Sequence, residues 1–200
     1  MLLSTDSTDC INWSTNSVNG LSSKLAPAIG NNSDGWPILA YVSNNDSNEL
    51  FVTVGGVAWS EAIQVNGQTS KLAPSLIYFK SQLILAYVAA NGSNELLVTI
   101  SDGLIDPTTG KITWSKSQRV TGQFSETTPA LSVVENDDGT HNLVLVYVAT
   151  NGTYDLLLTT SNGLIDPVNR SMKWSKSIPV NGQSSKLAPA MNIISDEFIS

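Results

Sequence analysis

The chain has 200 residues, of which 41% are hydrophobic and 14% charged, and its formal net charge is −7. This is the composition of a folded domain, and its acidity excludes a nucleic-acid role, which needs a basic stripe to displace counterions. No run of Lys or Arg suits an anionic membrane surface, and no apolar stretch approaches the roughly 18 residues that span a bilayer, so no membrane insertion is expected.

Taken in chain order, the segments read as short strands separated by turns, with no sustained helical period. Met1-Leu2-Leu3-Ser4-Thr5 reads as a strand and lacks the basic and apolar regions of a signal peptide, so the expected location is cytoplasmic or reached by non-classical export. Cys10, the sole cysteine, has no internal disulfide partner and opens a second strand, Cys10-Ile11-Asn12-Trp13. Ile38-Leu39-Ala40-Tyr41-Val42 and Leu50-Phe51-Val52-Thr53-Val54 follow as strands. Pro74 to Phe79, Leu83 to Val88 and Glu95 to Ile100 are three more, the last two joined by a turn at Asn91-Gly92-Ser93-Asn94, where Asn and Gly accept positive φ cheaply. Ile112-Thr113-Trp114 opens a fourth strand. Val144 to Val148 and Leu156 to Thr160 repeat the second and third, and Pro189 to Ile194 repeats the first. Glu197-Phe198-Ile199-Ser200 is the start of a second strand. Length differences fall in connections, chiefly Ser101 to Gly110 and Glu135 to His141.

The strands are punctuated by one repeated phrase, in which a tryptophan starts a fourth strand and an Asn-Gly-Gln turn follows it. Trp13, Trp59, Trp114 and Trp174 are each followed by Ser, then by Val18-Asn19-Gly20, Val65-Asn66-Gly67-Gln68, Val120-Thr121-Gly122-Gln123 or Val180-Asn181-Gly182-Gln183. Three copies continue as Ser-Lys-Leu-Ala-Pro, from Ser23, Ser70 and Ser185. The tryptophans lie 46, 55 and 60 residues apart, and self-similarity at that period in a β-rich chain predicts propeller blades. The expected fold is all-β: one domain over residues 1–200, a β-propeller of four-stranded antiparallel blades, three complete and one split between the termini. The ends leave open a four-bladed ring with a defective seam, a protomer that forms a larger ring with further copies, and a piece of a longer protein.

Ser101-Asp102-Gly103 and Ser161-Asn162-Gly163 approximate the Asp-box pattern Ser-x-Asp-x-Gly, although the distance to Trp114 or Trp174 is longer and the first copy carries Gly55-Gly56. On these residues and on the repeat from Ser70 to Trp114, the chain resembles bacterial propeller repeats related to sialidase-type Asp-box propellers and propeller lectins. A sialidase-like activity would require three arginines gripping the substrate carboxylate, beside a Tyr–Glu pair. The chain has only Arg119 and Arg170, so the resemblance implies the architecture and no catalysis. Glu49, Glu95 and Asp155 sit at equivalent strand starts and read as solvated turn acids. One histidine, His141, and one cysteine make no zinc set, Glu135 to Asp138 lacks the spacing of a calcium loop, and no Gly-rich phosphate loop occurs; no catalytic residue, metal or cofactor is expected.

The expected function is therefore non-catalytic glycan binding at repeated weak sites between blades. Trp59, Gln68 and Lys71, Trp114 and Gln123, and Trp174, Gln183 and Lys186 join an aromatic face to amide and ammonium donors, a combination that suits the C–H patches and hydroxyls of a sugar. Tryptophan also fills a wedge between blades, and that structural reading stands beside the first. The alternatives are a protein-interaction or structural scaffold, and a non-catalytic part of a glycosidase or toxin.

Overall fold

The computed structural model describes residues 1–6, 14–18, 20–56, 58–103 and 111–191. Among them there is no helix. The expected strand over Cys10 to Trp13, the connection 104–110 and the strands beyond Met191 lie outside the described residues.

A ribbon of β1 (Leu3–Asp6) and β2 (Ser14–Ser17) leads the chain. Three antiparallel four-stranded sheets follow, each running through its strands in chain order. The first holds β3 (Ala28–Asn31), β4 (Pro37–Val42), β5 (Glu49–Val54) and β6 (Ile63–Thr69). The second holds β7 (Ser75–Phe79), β8 (Gln82–Val88), β9 (Glu95–Ile100) and β10 (Gln118–Phe124). The third holds β11 (Ala130–Glu135), β12 (His141–Val148), β13 (Asp155–Ser161) and β14 (Ile178–Ser184). β7 lies against both β3 and β11, so the sheets meet along their first strands.

The apolar second strands take the most buried places. Leu83 through Val88 of β8 are 0% exposed, because the second sheet is covered on both faces; side chains pointing either way must then be apolar. Two cores fill the wedges. Val42, Leu50, Val52 and Val65 of the first sheet pack with Leu76, Leu85 and Tyr87 of the second and with Trp114. Ile84, Leu96 and Val120 of the second pack with Leu131, Leu145 and Tyr147 of the third, and Trp174 lies against them. A smaller cluster of Leu2, Val18, Leu39 and Tyr41 ties the N-terminal segment to the first sheet, with Trp59 at its edge.

Two sequence expectations need correction. The tryptophans do not open the fourth strands. Trp114 makes a single bridge to Ser101, and β6, β10 and β14 each begin four residues past their Trp. The hydroxyl of the intervening Ser is responsible. Ser60, Ser115 and Ser175 Oγ accept the N–H of Val54, Ile100 and Thr160, each at 3.0 Å, and satisfy a backbone donor that a strand partner would otherwise take. Nor is Val-Asn-Gly-Gln a turn between elements. It lies inside β6 and β14 as a bulge, with Asn66 and Gly67 at φ 47 and 69 and Asn181 and Gly182 at 43 and 67. Consecutive left-handed residues bend a strand as readily as they reverse it.

Candidate functional site

The repeated residues gather where one sheet hands over to the next. Ser70 N–H donates to Asn48 O at 2.8 Å, across the first sheet's outer hairpin, while its hydroxyl donates to Val88 O at 3.1 Å on the second sheet. Ser125 bonds Asn94 O at 2.9 Å in the same way, and Ser185 bonds Tyr154 O at 2.9 Å. Lys71 Nζ donates to Asn94 Oδ1, and Lys24 Nζ to Asn48 Oδ1, each holding a hairpin residue at φ near 59 and 58. Lys186 instead lies 5.3 Å from the centre of the Tyr154 ring.

The glutamines follow the same logic. Tyr87 donates its hydroxyl to Gln68 Oε1 at 2.9 Å and meets Ser117 Oγ. Tyr147 donates to Gln123 Oε1 and meets Ser177 Oγ at 2.7 Å. Burial raises the Tyr87 phenol to about 12, the Ser117 bond opposing the rise. At the first junction Leu21 and Ala62 pack against the cluster that holds Tyr41, an apolar version of the same set, and burial lifts that phenol to about 12 as well. Gln183 is exposed, with no such tyrosine among the described residues. Trp114 is 4% exposed and Trp174 half-buried. Their indole N–H groups are buried and meet no acceptor among the described residues, and both rings are packed against the cores. Trp59 is half-buried at the first junction. The structure thus brings Gln68, Lys71 and Trp114 to one junction, and Gln123 and Trp174 to the next. It leaves Gln183 and Lys186 on the outer side of the third sheet. The tyrosines and Ser117 and Ser177 were missed in the sequence; the signal was a Tyr at one fixed place in every second strand.

The expected solvated acids are accounted for by near neighbours. Glu95 pairs with Arg119 at 2.9 Å, Glu49 accepts from Ser47 at 2.7 Å, and Asp155 accepts from Thr153 at 2.6 Å.

A cleft of about 550 Å³ opens between the second sheet and the 165–170 loop of the third. Its floor is Asp102 and Thr113. Thr113 N–H donates to Asp102 Oδ1 at 3.0 Å and its hydroxyl to Oδ2. Arg170 Nη1 donates to Thr113 O at 3.1 Å and Oγ1 at 3.2 Å. Burial pushes the Asp102 carboxyl up, but the Thr113 bonds and the Arg170 charge outweigh it and hold the group below its ordinary value. The opposite wall is a closed turn, in which Asp166 Oδ1 accepts from Val168 N at 2.8 Å and Asn169 N at 3.1 Å. That turn is pinned to the second sheet by Gln118, whose side-chain amide donates to Arg170 O at 2.8 Å and accepts from Met172 N at 3.1 Å. Lys80 Nζ adds a bond to Gly163 O at 3.0 Å. Pro167 and Val168, the latter 91% exposed, give this wall an apolar rim. These hydrogen bonds hold both walls, and a wall held in place loses less order on binding.

No family model matches the sequence, and no curated protein matches it. Among solved structures, the crystal structure of a thermostable family-43 glycoside hydrolase aligns at a TM-score of 0.46 and 14% identity, over 80% of this chain and 53% of the hydrolase. The chain therefore spans about half the length of that protein.

Proposed function

We propose that this chain is a propeller-type protein that binds carbohydrate without transforming it, and that its ligand sits in the cleft between the second and third sheets. The observation that carries the reading is the cleft's make-up: the carboxylates of Asp102 and Asp166, the Arg170 guanidinium and the Gln82 amide line a space of about 550 Å³ beside the exposed Pro167–Val168 rim. Small-molecule sites of this volume bind through a few placed polar groups and an apolar surface, and a sugar offers hydroxyls to the first and C–H patches to the second. The carboxylates argue against hydrolysis. A glycosidase acid must hold its proton near neutral pH, whereas Asp102 is held ionised and Asp166 Oδ1 already closes its own turn. The junction glutamines contribute to fold rather than to ligand in this reading, since Gln68 and Gln123 accept from tyrosines. A glycan array with the purified chain and with Asp102→Ala tests it. Binding that the variant loses supports the reading; no binding, or binding unaffected by the variant, removes it, and turnover of a glycoside removes its non-catalytic part.

A scaffold role is favoured by a different observation. Ile178 and Leu187, on the outer side of the third sheet, are 59% and 76% exposed, and a protein partner or a second copy of the chain would cover them. Light scattering over a concentration series tests this: a constant monomer mass counts against self-association.

A further inference from the structure

We infer that the cleft takes a single uncharged sugar per chain and rejects acidic sugars. The inference rests on the carbohydrate-binding reading above and names the class of ligand within it.

Charge selects the class. Two carboxylates, Asp102 and Asp166, and one guanidinium, Arg170, line the cleft. Arg170 is partly withdrawn from an incoming anion: Nη1 is committed to both oxygens of Thr113, and its single positive charge, shared with Asp102 across that residue, is outnumbered by the two carboxylates. A ligand carboxylate would thus meet a wall of net negative sign, on a chain whose formal net charge is −7. Neutral hydroxyls meet no such opposition. They can donate to the remaining lone pairs of Asp102, whose two oxygens each accept one bond from Thr113, while a C–H face rests on Pro167 and Val168.

Register fixes the number. The residue before each described junction tryptophan is Ala58, Thr113 or Lys173, and the position of Asp102 is Gly56 on the first sheet and Asn162 on the third. Among the described residues the Asp–Thr floor is therefore made once, although the repeat is written several times. One site per chain replaces the several equivalent sites that the sequence repeat suggested.

Matched pairs of sugars that differ only in a hydroxymethyl or a carboxylate test the inference: glucose with glucuronate, galactose with galacturonate, and mannose with mannuronate, titrated by calorimetry at low salt. The expected result is saturation at one sugar per chain by the neutral member of at least one pair. Its acidic partner should bind about tenfold more weakly or worse, the scale of one like-charge contact at a partly solvated site. Raising the salt should narrow the gap. Asp102→Asn, which keeps the shape and removes the charge, should narrow it too. A uronate that binds as tightly as its neutral partner, or more than one site, overturns the inference while leaving the carbohydrate reading standing. Failure of every sugar to bind, with the chain shown folded by its circular dichroism, overturns both.

Discussion

The amide of one glutamine does two different jobs in this molecule, depending on what the next sheet offers. Gln68 meets the Tyr87 hydroxyl, which is buried with its ring, whereas Gln183 faces solvent. Gln68→Ala should lower stability by about 1 kcal/mol, the net worth of an ordinary hydrogen bond, and Gln183→Ala should leave the melting temperature unchanged; parallel thermal melts decide. The tyrosine also carries a pH signature. Unfolded, its phenol ionises near 10.0; folded, near 12. The folded state holds the proton longer, so the stabilisation is complete below pH 10 and is lost as pH rises toward 12. Two units on a fully buried ring amount to about 3 kcal/mol. Denaturant melts across that window should show the decline, and Tyr87→Phe should reduce it, the buried phenols of Tyr41 and Tyr147 supplying the remainder. Asp102 works in the opposite sense. Its carboxyl is held below its ordinary value, so sugar affinity should be lost on acidification at a lower pH than an unperturbed aspartate would give.

At the scale of elements, the serine after each tryptophan decides where the fourth strand begins. Ser115 is 3% exposed, and its hydroxyl serves Ile100 N–H at 3.0 Å. Ser115→Ala leaves that donor buried and unmatched, which should cost about 1–3 kcal/mol. Ser175→Ala, at an exposed position, should cost less, and urea unfolding of the two variants measures the difference. Second and third strands were legible in the sequence because their apolar runs have no other comfortable place: Ile38 to Val42, Leu83 to Val88 and Val144 to Val148 all became strands within the sheets. The fourth strands were misplaced for two physical reasons. A side-chain oxygen can replace a strand's hydrogen bond, and Asn-Gly is equally at home in a turn and in a bulge. Neither choice can be read without knowing what lies across the sheet.

Over the whole molecule, three sheets meet along β3, β7 and β11, and each junction is stitched by backbone and serine bonds to the neighbouring hairpin. This gives the repeated Ser-Lys and Trp-Ser phrases a folding reason. The cleft was not legible in advance because its members are far apart in sequence: Arg170 reaches Thr113 across 57 positions. Asp102 and Arg170 were each noticed singly, as an approximate Asp-box residue and as one arginine too few for a sialidase, and only the packing of the third sheet's loop against the second sheet put them together. We propose that this cleft, rather than the repeated glutamines, holds the sugar. The most direct measurement is the backbone amide spectrum of the labelled chain during titration with the neutral sugar that binds best. The amides of Thr113, Val168 and Asn169, which line or close the cleft, are expected to shift together along one saturating curve. Shifts confined to Gln68, Gln123 or Gln183 and their neighbours, with those three amides unmoved, would contradict the proposal.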